Sequence, residues 1–370
     1  MSLTTVQQGM IGTQSSIPMT YGNLGAGDAS IMKNRIINGA MVISQRGTSS
    51  VTTAINGGNT YVSCDRWAYQ ASQASKFSIQ QNAGSITPPV GFTNYLGITS
   101  LSAYTVTSGD YFNIIQCIEG YNVADLAYGT ASAKTITLSF WVYSSLTGSF
   151  GGALSNNSAN RSYPFLYTVS SANTWTQVSI TIPGDTTGTW LTNNGNGMYV
   201  FFGLGMGSGA SGTAGSWQAG NYQSATGAVS VVGTNGATWY LTGVQLEVGS
   251  SATGFEYVNY QTSLANCQRY YQQIGSGMFI GSSSTTSVVG AIPFFTQMRA
   301  TPTASLSGVM NVTDNSANYT QSSATINTNY MQSNGGALDL GGFSGITGFR
   351  PYWYASANSS NRFFNFSAEL

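Results

Sequence analysis

The densest reactive chemistry in the chain lies in six consecutive residues. The stretch CDRWAY, residues 64–69, sets Cys64 beside Asp65, Arg66 and Trp67, with Tyr69 two positions on. A thiol, an acid and a base this close could be a nucleophile with its activating group, or a structural clasp. Histidine separates the two, because the chain contains none. Its absence removes Ser-His-Asp and Cys-His nucleophile systems and the commonest transition-metal ligand. Cys64, Cys117 and Cys267 are widely spaced and odd in number, so they read as buried thiols rather than a zinc knuckle or a disulfide framework. With no base to activate Cys64, the stretch reads as a clasp. As a strand, its period of two places Asp65 and Trp67 on one face and Cys64, Arg66 and Ala68 on the other. Trp67 is expected to be buried, and Asp65 and Arg66 to be hydrogen-bonded or ion-paired to other segments.

Two further chemistries are tested by spacing. Glycoside hydrolysis generally uses two carboxyl groups about 5–10 Å apart. Here the acids are scattered: Asp110, Glu119, Asp125, Asp185, Glu247, Glu256, Asp314 and Asp339. No acidic cluster forms along the chain, so no enzyme is expected. The run GLGMGSGASGTAG (203–215) matches phosphate-loop patterns, but no Lys-Ser/Thr follows and no strand-loop-helix context surrounds it. Sugar binding is better supplied. Flat aromatic rings stack on pyranose faces while amides and hydroxyls fix orientation. Trp141 and Tyr143 project from the strand face opposite an apolar row, and Trp175 shares that disposition. Trp190, Trp217 and Tyr222 lie in Gly/Asn-rich loops, where they could equally make subunit contacts.

The elements that must position these residues are β. Among 370 residues only 11 are basic and 11 acidic, while Gly reaches 46 and Tyr 22. Hydroxyl, β-branched and aromatic residues with many turn formers favour strands over helices. Zero net charge without a basic stripe argues against nucleic acid and against a polybasic membrane footprint. No apolar run reaches the length of a membrane span. The first basic residue is Lys33, so no secretory signal is expected, and synthesis in a cytoplasm with release by another route.

TITLSFWVY (135–143) alternates, with Ile136, Leu138, Phe140 and Val142 on one face. TWTQVSITI (174–182) places Val178, Ile180 and Ile182 inward. YFNIIQCIEG (111–120), MYVFFGLGM (198–206) and TWYLTGVQLEV (238–248) are further strands, and the Gly/Ser/Asn stretch 203–236 reads as a long loop. Strand signals are read from residue 34 onward. QTSLANCQRYYQ (261–272) reads as one helical turn leading into a second set of strands, including GMFIG, SVVGAIPFF, TASLSGVMNVT, NYMQSNGGALDL and NRFFNFSAEL. The expected organisation is an N-terminal arm (1–33), a central β-sandwich jelly roll (34–260) and a small C-terminal β-sandwich (261–370).

NRIINGAMVISQRG (34–47), DRW (65–67), SQASKF (72–77), LSFWV (138–142), NRSYPF (160–165), IPGDTTGTW (182–190), LTGVQLEVGSSATGFEY (241–257) and CQRYYQ (267–272) occur in this order. Together they resemble bacteriophage and prophage tail-fibre proteins over roughly residues 34–272. The resemblance implies a virion surface protein and a homotrimer, with a central domain like the jelly roll of carbohydrate-binding modules. It also implies an arm that joins other virion proteins and adhesion to host surface polysaccharide or lipopolysaccharide. A structural capsid decoration or vertex fibre is the alternative, and a polysaccharide depolymerase a third. Many such jelly rolls hold calcium with acidic residues ahead of the segment resembling VQLEVG. Here Thr242 and Gly243 stand there, so no metal and no cofactor are expected.

Overall fold

Alternation in the sequence becomes two facing sheets. The first fifteen strands are β1 (Val51–Thr52), β2 (Asn56–Tyr61), β3 (Trp67–Ala71), β4 (Phe77–Gln81), β5 (Leu96–Ser100), β6 (Tyr111–Glu119), β7 (Ile136–Ser144), β8 (Gly148–Ser155), β9 (Arg161–Val169), β10 (Thr176–Ile182), β11 (Asn196–Met206), β12 (Ser211–Gly212), β13 (Gln218–Ala219), β14 (Ser224–Ala225) and β15 (Thr238–Val248). One sheet runs β1-β4-β5-β15-β7-β10 and the other β13-β9-β8-β11-β6-β3-β2, both with antiparallel pairings. In the computed structural model the described residues are 32–275, 279–282, 284–307, 310–321, 325–354 and 364–370. The arm assigned to 1–33 therefore falls, through residue 31, outside them. Residues 34–370 cohere as one unit.

The core lies between the two sheets. Ile136, Leu138, Phe140 and Val142 of β7 meet Trp67, Phe112, Ile114 and Phe202 of the opposite sheet. Rings lock edge to face, with Phe140 5.1 Å from both Tyr167 and Phe202. Each fully buried large apolar side chain contributes about 1.5–3 kcal/mol, so this layer supplies the main driving force.

Residues 34–50 hold no strand, contrary to the strand signals read from residue 34. They form a strap that laces the sandwich through side chains. Asn34 Oδ1 accepts from Ile36 N and Leu246 N, each at 3.0 Å. Gln116, a polar residue in apolar β6, accepts from Ile37 N at 2.9 Å and donates to Ile37 O at 3.0 Å. Gly39 is built into this strap: a Cβ there would collide with the Val244 carbonyl oxygen. Gly39→Ala should therefore cost about 1–3 kcal/mol, read as a lowered midpoint in thermal or denaturant unfolding. An unchanged midpoint would show that the strap can yield.

Helix α1 (Tyr260–Gln268) follows, capped by Asn259, whose side chain accepts from Thr262 N. It is a nine-residue helix, longer than the single turn read from the sequence, because the cap satisfies one of the end donors. Then come β16 (Tyr271–Ile274), β17 (Phe279–Ser282), β18 (Ser287–Pro293), β19 (Thr303–Leu306), β20 (Met310–Thr313), β21 (Asn318–Gln321), β22 (Thr325–Gln332), β23 (Gly335–Gly341), β24 (Pro351–Tyr354) and β25 (Phe364–Ser367). These make a sheet β21-β20-β24-β17-β18-β23-β22 and a smaller one β16-β25-β19 around a second apolar core. TASLSGVMNVT, read as one strand, is split into β19 and β20, which join different sheets. GMFIG begins, and NRFFNFSAEL opens, on residues outside those described. The architecture is all-β and sandwich-like, with a jelly-roll-like first part.

Candidate functional site

The seam between the two apolar cores is polar and ionic, and the 64–69 stretch sits in it. Residues 64–66 form a turn rather than a strand, with Arg66 in the left-handed region at φ 71°. The strand begins only at Trp67, so the period-two placement of residues 64–66 does not hold. Trp67 is fully buried and donates its indole N–H to Asn38 O at 3.1 Å. Asp65 accepts from Gln45 N at 3.0 Å and Gln45 Nε2 at 2.5 Å, with Arg46 Nη1 3.6 Å away. Arg66 pairs with Glu369, donates to Cys117 O at 2.6 Å and lies 3.6 Å from the Tyr270 ring centroid. Glu119 holds Arg269 at 2.8 and 2.5 Å and Tyr270 OH at 2.6 Å. Burial pushes the Asp65 carboxyl up to about 6, against the opposing pull of Arg46 and Gln45. Cys64 is free and buried, and burial raises its thiol far from reactivity. This cluster ties two sandwiches together and offers nothing to a ligand.

The aromatic candidates fall into separate groups. Trp141 and Tyr143 lie half-buried on the outer face of β7. Tyr143 stacks on Tyr240 at 5.3 Å and meets Trp175 at 5.5 Å. Trp175 precedes β10 rather than lying on it, and donates to Thr87 O at 2.9 Å. Trp190 and Trp217 are half-buried, not exposed, and box Tyr128 edge to face at 4.9 and 5.8 Å. Their indole N–H groups go to Thr187 O and Pro183 O. Arg161 and Asp185, bonded twice at 2.8 and 2.7 Å, fix the loop that carries Trp190. The Tyr128, Trp190 and Trp217 rings present edges to one another.

A different place has the shape of a site. On the outer face of the second sheet, period two aligns Ala68 and Gln70 of β3 with Ile115 and Asn113 of β6, and then with Phe201 and Gly203 of β11. The apolar half of this face is sealed as a small cluster of Ala68, Ile115, Cys117, Ala153 and Phe201. The polar half stays open. Gly151 and Gly203 have no side chains, so Ser224 can lie directly on the sheet, where a Cβ at either glycine would crowd its hydroxyl. The 203–236 stretch, read as loop, thus carries the end of β11 and three short strands. Packing of β14 onto the glycines delivers Gln223 to Asn113.

The result is a cavity of about 450 Å³ between Gln70, Tyr111, the Ser108–Gly109 turn and the segment holding Ala210, Asn221 and Gln223. Beneath it Asn113 is fully buried and donates to Gln70 Oε1 at 3.2 Å and Gln223 Oε1 at 2.9 Å. Gln70 Nε2 in turn donates to Asn59 Oδ1 at 2.8 Å. The Asn113 Oδ1 atom is buried without a hydrogen-bond partner, a costly state that a water or ligand donor would relieve. Tyr111 OH donates to Asn56 O at 3.1 Å, which holds its ring at the wall. Asp110 braces the turn: its carboxylate accepts from Ser72 Oγ, Tyr104 OH, Thr107 N and Thr107 Oγ1 at 2.7–2.9 Å. Tyr222, flanked by two lining residues, turns its ring over Gly212 and Gly220 instead.

Sequence reasoning missed this pocket. The signal available was Asn113, an amide within the apolar run YFNIIQCIE, since a buried polar side chain in such a strand demands partners. Among the described residues no group of three His, Cys, Asp or Glu could hold a metal ion, and no helix is long and apolar enough to cross a membrane.

No family model and no curated protein matches the chain. Solved structures of similar architecture do. The enzymatically active domain of tailspike protein 4 from bacteriophage CBA120 matches at 10% identity and TM-score 0.30, covering 58% of this chain and 21% of its own. A family 11 carbohydrate-binding module from Clostridium thermocellum, in complex with a β-1,3-1,4-mixed-linked tetrasaccharide, matches at 10% identity and TM-score 0.26, covering 55% and 98%. TmCBM61 in complex with β-1,4-galactotriose matches at 9% identity and TM-score 0.26, covering 50% and 88%. The chain spans about a fifth of the tailspike chain's length.

Proposed function

We propose that this chain is a non-enzymatic virion fibre protein that adheres to host surface glycans through the pocket at Gln70, Tyr111 and Gln223. The observation that carries the glycan reading is the pocket's lining: two glutamines, an asparagine, a serine, a tyrosine and small residues, with no Asp, Glu, Lys or Arg. Amides and hydroxyls beside an aromatic ring suit sugar hydroxyls and a pyranose face. A lining without carboxylates supports adhesion over hydrolysis, which uses a pair of them. The fibre assignment rests on the ordered motifs from NRIINGAMVISQRG to CQRYYQ. A homotrimer on the virion surface, joined to other virion proteins by residues 1–33, follows from the same resemblance. Three copies per fibre would let weak sites sum to useful avidity.

The test is binding of the purified chain to host cells and to a glycan array, with Gln70→Ala and Gln223→Ala alongside. Each substitution should weaken binding about tenfold, the loss of one or two hydrogen bonds in a semi-enclosed site. Light scattering should give three chains per particle. Binding unaltered by both substitutions would move adhesion elsewhere, and release of reducing sugar would overturn the non-enzymatic reading.

A further inference from the structure

We infer that the pocket selects neutral glycans and excludes acidic ones, an inference that rests on the glycan-binding reading above. Two observations carry it. The first is charge. Asp110 immediately precedes the lining residue Tyr111 and follows the lining pair Ser108 and Gly109, and its carboxylate receives four hydrogen bonds from Ser72, Tyr104 and Thr107. Burial pushes its pKa up, but these donors outweigh burial and hold it at about 2, so the group is an anion at any physiological pH. No cation lines the cavity to offset it. Lys76 Nζ lies over the Tyr104 ring, 4.6 Å from its centroid, and is not part of the lining. A uronic or sialic carboxylate in this space would find no cation among the lining residues to repay its lost hydration, with an anion already fixed next to Tyr111 in the chain.

The second observation is the direction of the hydrogen bonds. Asn113 Nδ2 spends its donors on the oxygens of both glutamines. That leaves Gln223 Nε2 as a donor at the wall and Asn113 Oδ1 as an unpartnered acceptor below. A hydroxyl both donates and accepts, so a neutral sugar can satisfy each kind of group. A carboxylate only accepts. Charge and polarity therefore favour the same ligand class, polyhydroxylated and uncharged.

The experiment titrates the full chain with oligosaccharides of matched length: neutral galactan, glucan and N-acetylglucosamine tetramers against oligogalacturonate and oligosialate. A neutral series should bind about tenfold or more tightly than either acidic one, with little response to salt. Gln223→Ala, with Gln70→Ala as a second variant and thermal melting as the folding control, should weaken it about tenfold. Asn221 is exposed on the rim, so Asn221→Lys should raise binding of the acidic series several-fold. Acidic oligosaccharides that bind as well as neutral ones, and lose affinity in the glutamine variants, would overturn the selectivity while leaving glycan binding in place. No binding by any of the series, or binding indifferent to both glutamines, would overturn the glycan reading and this inference together.

Discussion

Replacing Arg66 by alanine should lower the unfolding free energy by about 3–5 kcal/mol, the scale expected when one partner of a buried ion pair is removed. Arg66 is 1% exposed and Glu369 7%, so neither charge can fall back on water. Alanine would also forfeit the hydrogen bond to Cys117 O and the contact with the Tyr270 ring. Position 66 is left-handed in the native fold, and alanine keeps that backbone cost, so the measured loss reports the side chain. Arg46, 3.1 Å from Glu369, would remain as a partial partner. The double change Arg66→Met with Glu369→Gln should recover at least half of the loss, because two uncharged side chains of similar volume leave no buried carboxylate unpaired. Denaturant unfolding of the single and double variants checks both statements. A loss below about 1 kcal/mol for Arg66→Ala would mean that water reaches the seam.

Asp65 should make stability depend on pH in a direction opposite to that of an ordinary surface-paired carboxylate. Its folded pKa is raised to about 6, by burial first, against the pull of Arg46 and Gln45 and with some help from Glu369. The folded state therefore binds the proton more tightly than the unfolded state. The group's contribution is most favourable below the unfolded value near 4, and it is lost as pH rises through about 6. A displacement of about two pH units corresponds to about 3 kcal/mol between those limits. Asp65→Asn cannot titrate, and it also alters the bonds to Gln45, so its absolute stability is not the readout. The difference between variant and parent is. It should move by about 2 to 2.5 kcal/mol in the variant's favour between pH 4 and pH 7.5. A difference that stays flat across that range would sink the assignment.

Strand 176–182 alternates between buried and exposed side chains, and in 136–144 the apolar residues keep the same period of two although Thr137 and Ser139 on the other face are also buried, so the sequence records both core rows. Ile136, Leu138, Phe140 and Val142 are inside as the period demands. The 64–66 turn was not legible in the same way. Its geometry is imposed by Gln45, Arg46 and Glu369, and Glu369 lies 303 residues from Arg66. Trp190 and Trp217 stand in Gly-rich stretches that look solvent-exposed, and the approach of Tyr128 and Tyr163, together with their own mutual contact, half-buries them. Asn113 and Gln223 are 110 residues apart, and amides are so common in this chain that no pairing between them could be picked out.

The sequence by itself determined the β class, the core rows of the main strands and the absence of histidine chemistry, because composition and period-two burial act locally on each segment. Only the tertiary structure decided where the open polar surface lies. That depends on two glycines letting β14 settle on the sheet, on Asn113 finding two glutamines, and on Asp110 bracing the rim beside them. Such contacts are set by register and by the meeting of distant segments, and their energies exist only once the chain has folded.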